Sequence, residues 1–365
     1  VPPNFITVDL CVVVTLKRCA ATRVRVVPAV PNLEMGVTAE EYQNGHTLAT
    51  ARGSVLLFSK KMSKRKKAES RAGRLVIIGG AEDRDGQSEI LREFVRLAGG
   101  ARARVVVISV ASDAPAEVAS VYVKTFKRLG VRDVRALDIA GRADASGESA
   151  AAAVREATGV FFTGGNQLRI TRLLGGTLLD TTLHRCHEDG LVLAGTSAGA
   201  AMMSSVMIVG SAPTLTLRAG MVELGSGLGF LPGVLIDQHF EQRGRLRRLL
   251  AAIAQHPHEL GVGIDENTAA VVEGHTLEVT GSGSVTIIDA GGLTHTNLGE
   301  AQRHELLAIC GVRVHVLPAG YRFDLQNREP LLGSSPLNPG PSSVRRGADG
   351  KISADYKHRR VKVPR

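Results

Sequence analysis

From Arg74 onward the chain alternates short apolar runs with amphipathic ones, and this alternation limits the fold more than any other feature. "RLVIIGG", "ARVVVISVAS", "VRALDI", "GVFFTGG" and "LVLAG" have the length and composition of strands. Between them lie "SEILREFVRLAGG", Pro115 to Leu129, "SAAAAVREA", "NQLRITRLL" and "LLDTTLHRCHEDG", which read as helices. In the first of these Ile90, Leu91, Phe94, Val95 and Leu97 make one stripe, stopped by Gly99-Gly100. Pro115 is tolerated because a first helical turn has no use for its N–H. Strands apolar along their whole length are buried on both faces, and each return passes through a helix. The combination predicts an α/β fold with a mostly parallel sheet covered on both sides.

Beyond Gly233 the pattern continues with a strand in "VLIDQHF", a helix in "EQRGRLRRLLAAIAQ" and a strand in "LGVGIDE". "TAAVVEG", "TLEVTGSG" and "SVTIIDAGG" read as a β-meander closing the domain. Residues 73–331 are therefore expected to form one catalytic domain. Residues 1–72 lack sustained periodicity and end in the basic run "KKMSKRKKAESRAG"; they are expected to be a disordered or mis-started extension, with Met62 as a natural start. Leu10 to Leu16 is apolar but too short, and too poorly flanked, for a signal peptide. From residue 332 a Pro/Ser/Gly-rich, then basic tail is expected to be disordered.

The net charge of +10 suggests a nucleic-acid partner until it is located. Residues 1–73 carry 12 Lys/Arg against 5 Asp/Glu, and 332–365 carry 8 against 2, which leaves 74–331 with 25 against 28. The basicity sits in the ends, so no folded nucleic-acid surface is indicated. No apolar run reaches membrane-spanning length. Cys11, Cys19, Cys186 and Cys310 are scattered, which fits a reducing, cytoplasmic compartment. His184-x-Cys186-His187 has no second cluster at ligand spacing and reads as helix surface rather than a metal site.

The strand "LVLAG" runs into Gly195-Thr196-Ser197-Ala198-Gly199, the G-x-S-x-G of a nucleophile elbow. A serine hydroxyl needs a base, and the base needs a carboxylate to orient it. "VLIDQ" ends at His239 and "GVGID" at Glu266, so three strand ends supply all three residue types. Taken singly, His239 reads equally as a core histidine, and Glu266 as a turn cap with Asp265 the true acid. "GVFFTGGNQ" supplies backbone N–H groups for an oxyanion: Gly164 or Gly165, together with the N–H of Ala198. An α/β-hydrolase order would require His295, His304 or His315 as base, in a region of meander and loop.

"IIGGAED", "FFTGGNQLRI", "GTSAGA", "IDQHFEQRGRLRRL" and "GIDENTA" together resemble the cyanophycinases, serine peptidases related to the aspartyl dipeptidases. The resemblance covers about residues 73–290. It implies a three-layer, flavodoxin-like sandwich similar to the class I glutamine amidotransferase domain, and a homodimer. It implies hydrolysis of cyanophycin to β-aspartyl-arginine dipeptides by Ser197, His239 and Glu266, with no metal or organic cofactor. It also implies that Gln167, Asp237, Gln238, Arg243, Arg245 and Arg248 line the substrate site. The residues agree in kind: Arg245 and Arg248 are i, i+3 neighbours fit to grip substrate carboxylates, while Arg247 reads as solvated. Asp237, Glu82 and Asp83 are the acids available for a substrate guanidinium. A glutamine amidotransferase is disfavoured, since its elbow carries cysteine. The rival readings are an α-aspartyl dipeptidase and a non-catalytic binding module of the same fold.

Overall fold

A computed structural model describes residues 72–332, preceded by the backbone of three strands. These are β1 (Thr38–Tyr42), β2 (His46–Ala51) and β3 (Ser54–Ser59), paired antiparallel in that order. The chain divides into two compact units between Glu69 and Ser70. The expectation for residues 1–72 otherwise lies outside the described residues, as does that for the tail beyond residue 332.

The second unit begins with β4 (Leu75–Ile78), α1 (Glu89–Leu97), β5 (Arg104–Ile108), α2 (Pro115–Arg128) and β6 (Asp133–Leu137). There follow α3 (Arg142–Ala145), α4 (Glu148–Glu156), β7 (Gly159–Phe162), α5 (Gln167–Leu174) and α6 (Leu178–Glu188). Next come β8 (Val192–Thr196), the one-turn α7 (Ala198–Ala201), β9 (Val206–Ser211) and β10 (Val222–Ser226). β11 (Val234–Gln238), α8 (Leu246–Gln255) and β12 (Leu260–Ile264) precede β13 (Thr268–Glu273), β14 (Thr276–Gly281) and β15 (Ser284–Asp289). Five short strands finish the unit: β16 (His295–Thr296), β17 (Ile309–Cys310), β18 (Arg313–Pro318), β19 (Arg322–Asp324) and β20 (Glu329–Pro330).

The main sheet has nine strands in the order β20-β19-β14-β13-β4-β8-β7-β5-β6. From β4 to β6 every pairing is parallel, each strand returning through a helix. From β4 to β20 every pairing is antiparallel, so the mostly parallel sheet expected from the sequence is parallel in one half only. The reason is local: β13 and β14 are joined by the two-residue turn Gly274-His275, too short for a crossover.

The alternating burial of the parallel strands explains their unbroken apolar sequences. Leu75, Ile77, Val106, Ile108, Val160, Phe162 and Leu193 pack with residues of α4, α5 and α6 such as Val154, Ile170 and Leu183. Val76, Ile78, Val105, Val107, Phe161 and Val192 pack instead with Ile90, Phe94, Tyr122 and Phe126 of α1 and α2. Each strand thus feeds two cores.

A second sheet, β11-β12-β15-β18, corrects the expectation of a single sheet closed by one meander. β11 and β12 are parallel, joined through α8, and β15 leaves β14 to pair antiparallel with β12. Among the described residues no helix is long and apolar enough to cross a membrane.

Candidate active site

Three strand ends from the two sheets meet at one point. β8 is buried along its length and breaks abruptly at Ser197, whose backbone has φ 52° and ψ −108°. That is an unfavourable conformation for a residue with a side chain, held by its surroundings. A Cβ on Gly195 would lie 2.1 Å from the carbonyl oxygen of Gly199, and one on Gly199 would lie 2.5 Å from that of Phe162. Both glycines of the G-x-S-x-G sequence are there because backbone occupies the space. The N–H of Ser197 donates to the Ile78 carbonyl at 3.0 Å. Ala198 opens α7, so its N–H has no acceptor within the helix.

His239 follows the buried strand β11, also at positive φ (48°), and its N–H donates to the Gly79 carbonyl at 2.8 Å. The imidazole lies against Gly80, where a Cβ would come within 2.3 Å of the ring. Its Nε2 is 2.9 Å from Ser197 Oγ, and its Nδ1 is 2.6 Å from Glu266 Oε1 at the end of β12. A carboxylate accepts, so Nδ1 carries the proton and Nε2 presents its lone pair to the hydroxyl. Burial pushes the His239 pKa below its ordinary 6.5; Glu266 opposes this, while Arg243 and Arg245 add to it. The ring is held neutral and able to accept a proton.

Asp265, the other candidate acid, faces elsewhere. It accepts from the N–H of Glu241 and from the N–H and Oγ of Ser284, tying two loops together. The later histidines are also apart from the serine. His295 sits on β16 opposite Cys310, His304 accepts Arg218 at its carbonyl, and the His315 ring packs 5.4 Å from that of Phe323. His184 and His187 bond to the carbonyls of Leu228 and Leu191.

Gly164 runs beside the serine: a Cβ there would be 3.5 Å from Ser197 Cβ and 4.0 Å from Oγ. Gly165, at φ 139°, meets a different need, since a Cβ would fall 2.1 Å from the Ala111 carbonyl oxygen. Gln167 begins α5 and donates from Nε2 to the Ile208 carbonyl at 2.8 Å. Arg243 is exposed on the turn after His239.

The basic helix also bonds within the chain. Arg245 and Arg248 share a face, but the face turns inward onto Asp237, whose side chain is fully buried. Arg248 Nε donates to Asp237 Oδ2 at 2.8 Å and Nη2 to Oδ1. Arg245 donates to the carbonyl and Oε1 of Gln238 and, at 3.4 Å, to Asp237 Oδ1. Arg248 thus spends its fork on a buried carboxylate of the chain, while a single nitrogen of Arg245 makes all three of its contacts. Arg247 is exposed, as expected. The acids offered for a substrate guanidinium are engaged too. Asp237 holds the arginines, Glu82 accepts from Tyr122 and Thr196, and Asp83 accepts the N–H groups of Asp85, Gly86 and Ser88.

One element escaped the sequence reading. The carbonyls of Ile78, Gly79 and Gly80, at the end of β4, accept the N–H groups of Ser197, His239 and Asn267 respectively. Two glycines closing an apolar strand were the visible signal; their three clients lie far along the chain.

Peptidase family S51 matches residues 75–280. A cyanophycinase of Trichormus variabilis is 42% identical over 259 residues, covering 70% of this chain and 87% of that protein. A cyanophycinase of Geminocystis herdmanii is 38% identical over 261 residues, covering 71% and 96%. The crystal structure of a peptidase from an acI-B1 Actinobacterium shares the fold, with a TM-score of 0.51 and 21% identity over 70% of this chain and 98% of that one.

Proposed function

The chain belongs to peptidase family S51, and from that membership we propose an exopeptidase that hydrolyses cyanophycin through Ser197, His239 and Glu266. The observation that carries this reading is the line of hydrogen bonds from Ser197 Oγ through the imidazole to the Glu266 carboxylate. Ser197 Oγ attacks a backbone carbonyl while His239 Nε2 takes its proton, and Glu266 stabilises the imidazolium that forms. The N–H of Ala198, with that of Gly164 or Gly165, receives the oxyanion. His239 returns the proton to the leaving amine, and water then releases the acyl group by the same steps reversed. Acyl transfer of this kind needs no metal or organic cofactor.

Cyanophycin as substrate follows the names of the relatives; the motif resemblance adds that this arginine-bearing polyaspartate is cut to β-aspartyl-arginine dipeptides, with Gln167, Gln238 and Arg243 about the cleft. The same membership underlies a flavodoxin-like, three-layer reading of the fold and a homodimer; the cytoplasmic reading rests on the scattered cysteines. A second reading, an α-aspartyl dipeptidase, is favoured by one observation: Asp237, Glu82 and Asp83 are all bonded within the chain. Incubation with insoluble cyanophycin and with α-aspartyl dipeptides, followed by mass analysis of products, separates the two. Release of β-aspartyl-arginine supports the first reading. Cleavage of the α-aspartyl dipeptides alone supports the second, and inertness toward both rejects each.

A further inference from the structure

Glu82 is only 6% exposed, yet the groups it meets are hydroxyls rather than a cation. Its Oε2 accepts from Thr196 Oγ1 at 2.5 Å, and its Oε1 accepts from Tyr122 Oη. Tyr122 is itself fixed, its ring 4.7 Å from that of Phe161 and 6.3 Å from that of Phe126. Burial and the neighbouring Glu82 push the tyrosine pKa up against the opposing pull of Arg84, which lies 5.8 Å from the ring centre, so it remains a donor throughout the working range. Placing a carboxyl in such a position costs desolvation that an apolar side chain would not incur. Stability alone does not explain it.

What the carboxyl joins does. Thr196 is the residue before Ser197. Glu82 is two residues after Gly80, on which the His239 ring rests and whose carbonyl holds Asn267, next to Glu266. We propose that Glu82 is a positioning residue: it clamps the turn carrying the nucleophile to the loop after β4, against which the base rests, and so sets the approach of Ser197 Oγ to His239 Nε2. This rests on the serine-hydrolase reading above. Two hydroxyl-to-carboxyl bonds fix distance and direction together, which apolar packing does not. Misplacement of a reacting group by about 1 Å costs on the order of a hundredfold in rate.

The test compares Glu82→Gln with Glu82→Ala in the full chain, each confirmed folded by circular dichroism. Glutamine can accept one hydroxyl and donate to the other; alanine can do neither. Glu82→Ala is expected to lower kcat by about 10- to 100-fold, with KM and the midpoint of the acid limb of the pH profile unchanged. Labelling of Ser197 by a fluorophosphonate should slow by the same factor. Glu82→Gln should recover most of both rates. Wild-type kcat in folded Glu82→Ala overturns the proposal, as does Glu82→Gln being as slow as Glu82→Ala, which would assign the effect to charge. A shifted acid limb with an intact plateau overturns it likewise. If Glu82→Ala does not fold, Thr196→Val removes only the link to the elbow and must itself lower kcat without changing KM; wild-type kcat there overturns the clamp. A wild-type protein that fluorophosphonate does not label removes the Ser197 reading and the clamp with it, whereas equal labelling of wild type and Glu82→Ala removes the clamp alone.

Discussion

Asp237 and His239 stand two residues apart, and each is the centre of a three-group polar cluster, but the clusters end differently. Around Asp237 every group turns inward: the carboxylate is fully buried, and Arg245 and Arg248 are each 13% exposed. Around His239 the line begins at a glutamate whose side chain is 34% exposed and ends on a hydroxyl at a strained turn. The first cluster closes on itself; the second stops at an atom with a lone pair left over. Charge and burial are common to both, so neither marks the chemistry. An unspent end does.

Breaking the open end should have the largest effect. Ser197→Ala is expected to reduce kcat by at least about 10⁴-fold with the melting temperature nearly unchanged; retained turnover by the folded variant would erase the contrast. The closed cluster should respond in the opposite sense. Asp237→Ala takes from mostly buried Arg248 its carboxylate partner and leaves Arg245 with its Gln238 contacts alone; it should cost about 3–5 kcal/mol of stability, read as a lower urea midpoint. A midpoint equal to wild type would mean that the arginines find other partners.

The next effect is graded. Activity needs neutral His239, whose pKa lies below 6.5 because the ring is buried. The ratio kcat/KM should therefore be level near pH 7 and fall about tenfold per pH unit below that lowered pKa. A limb centred at or above 6.5 would contradict a buried base. Arg243 helps to lower this pKa, so Arg243→Gln should move the limb upward, by less than about one pH unit, since the side chain is exposed and screened. Smallest of all, Arg247→Ala should change stability by less than about 0.5 kcal/mol, unlike its neighbour Arg248.

Much of the site was legible because it obeys local rules. Gly195 and Gly199 announce a turn where backbone fills the space of a side chain, and Ser197, His239 and Glu266 each follow an apolar strand. What local pattern cannot report is partnership. The sequence "SVTIIDAGG" reads as the third strand of a meander, yet β15 pairs with β12 in the other sheet. Apolar alternation records that a strand is buried, not which neighbour buries it. The same holds for Arg245 and Arg248: a spacing of three places them on one face without saying which way that face looks. Glu82 was visible as an acid beside a glycine pair, but its tie to Thr196 spans 114 positions.

The end of β4 has a consequence for motion. Because Ile78, Gly79 and Gly80 hold the amides of Ser197, His239 and Asn267, no one of these loops can detach without disturbing a strand at the centre of the main sheet. Local opening is normally cheapest at loops. Here three loops share the opening energy of the core, and in hydrogen–deuterium exchange their amide protons should be lost together, on the slow timescale of β4 itself.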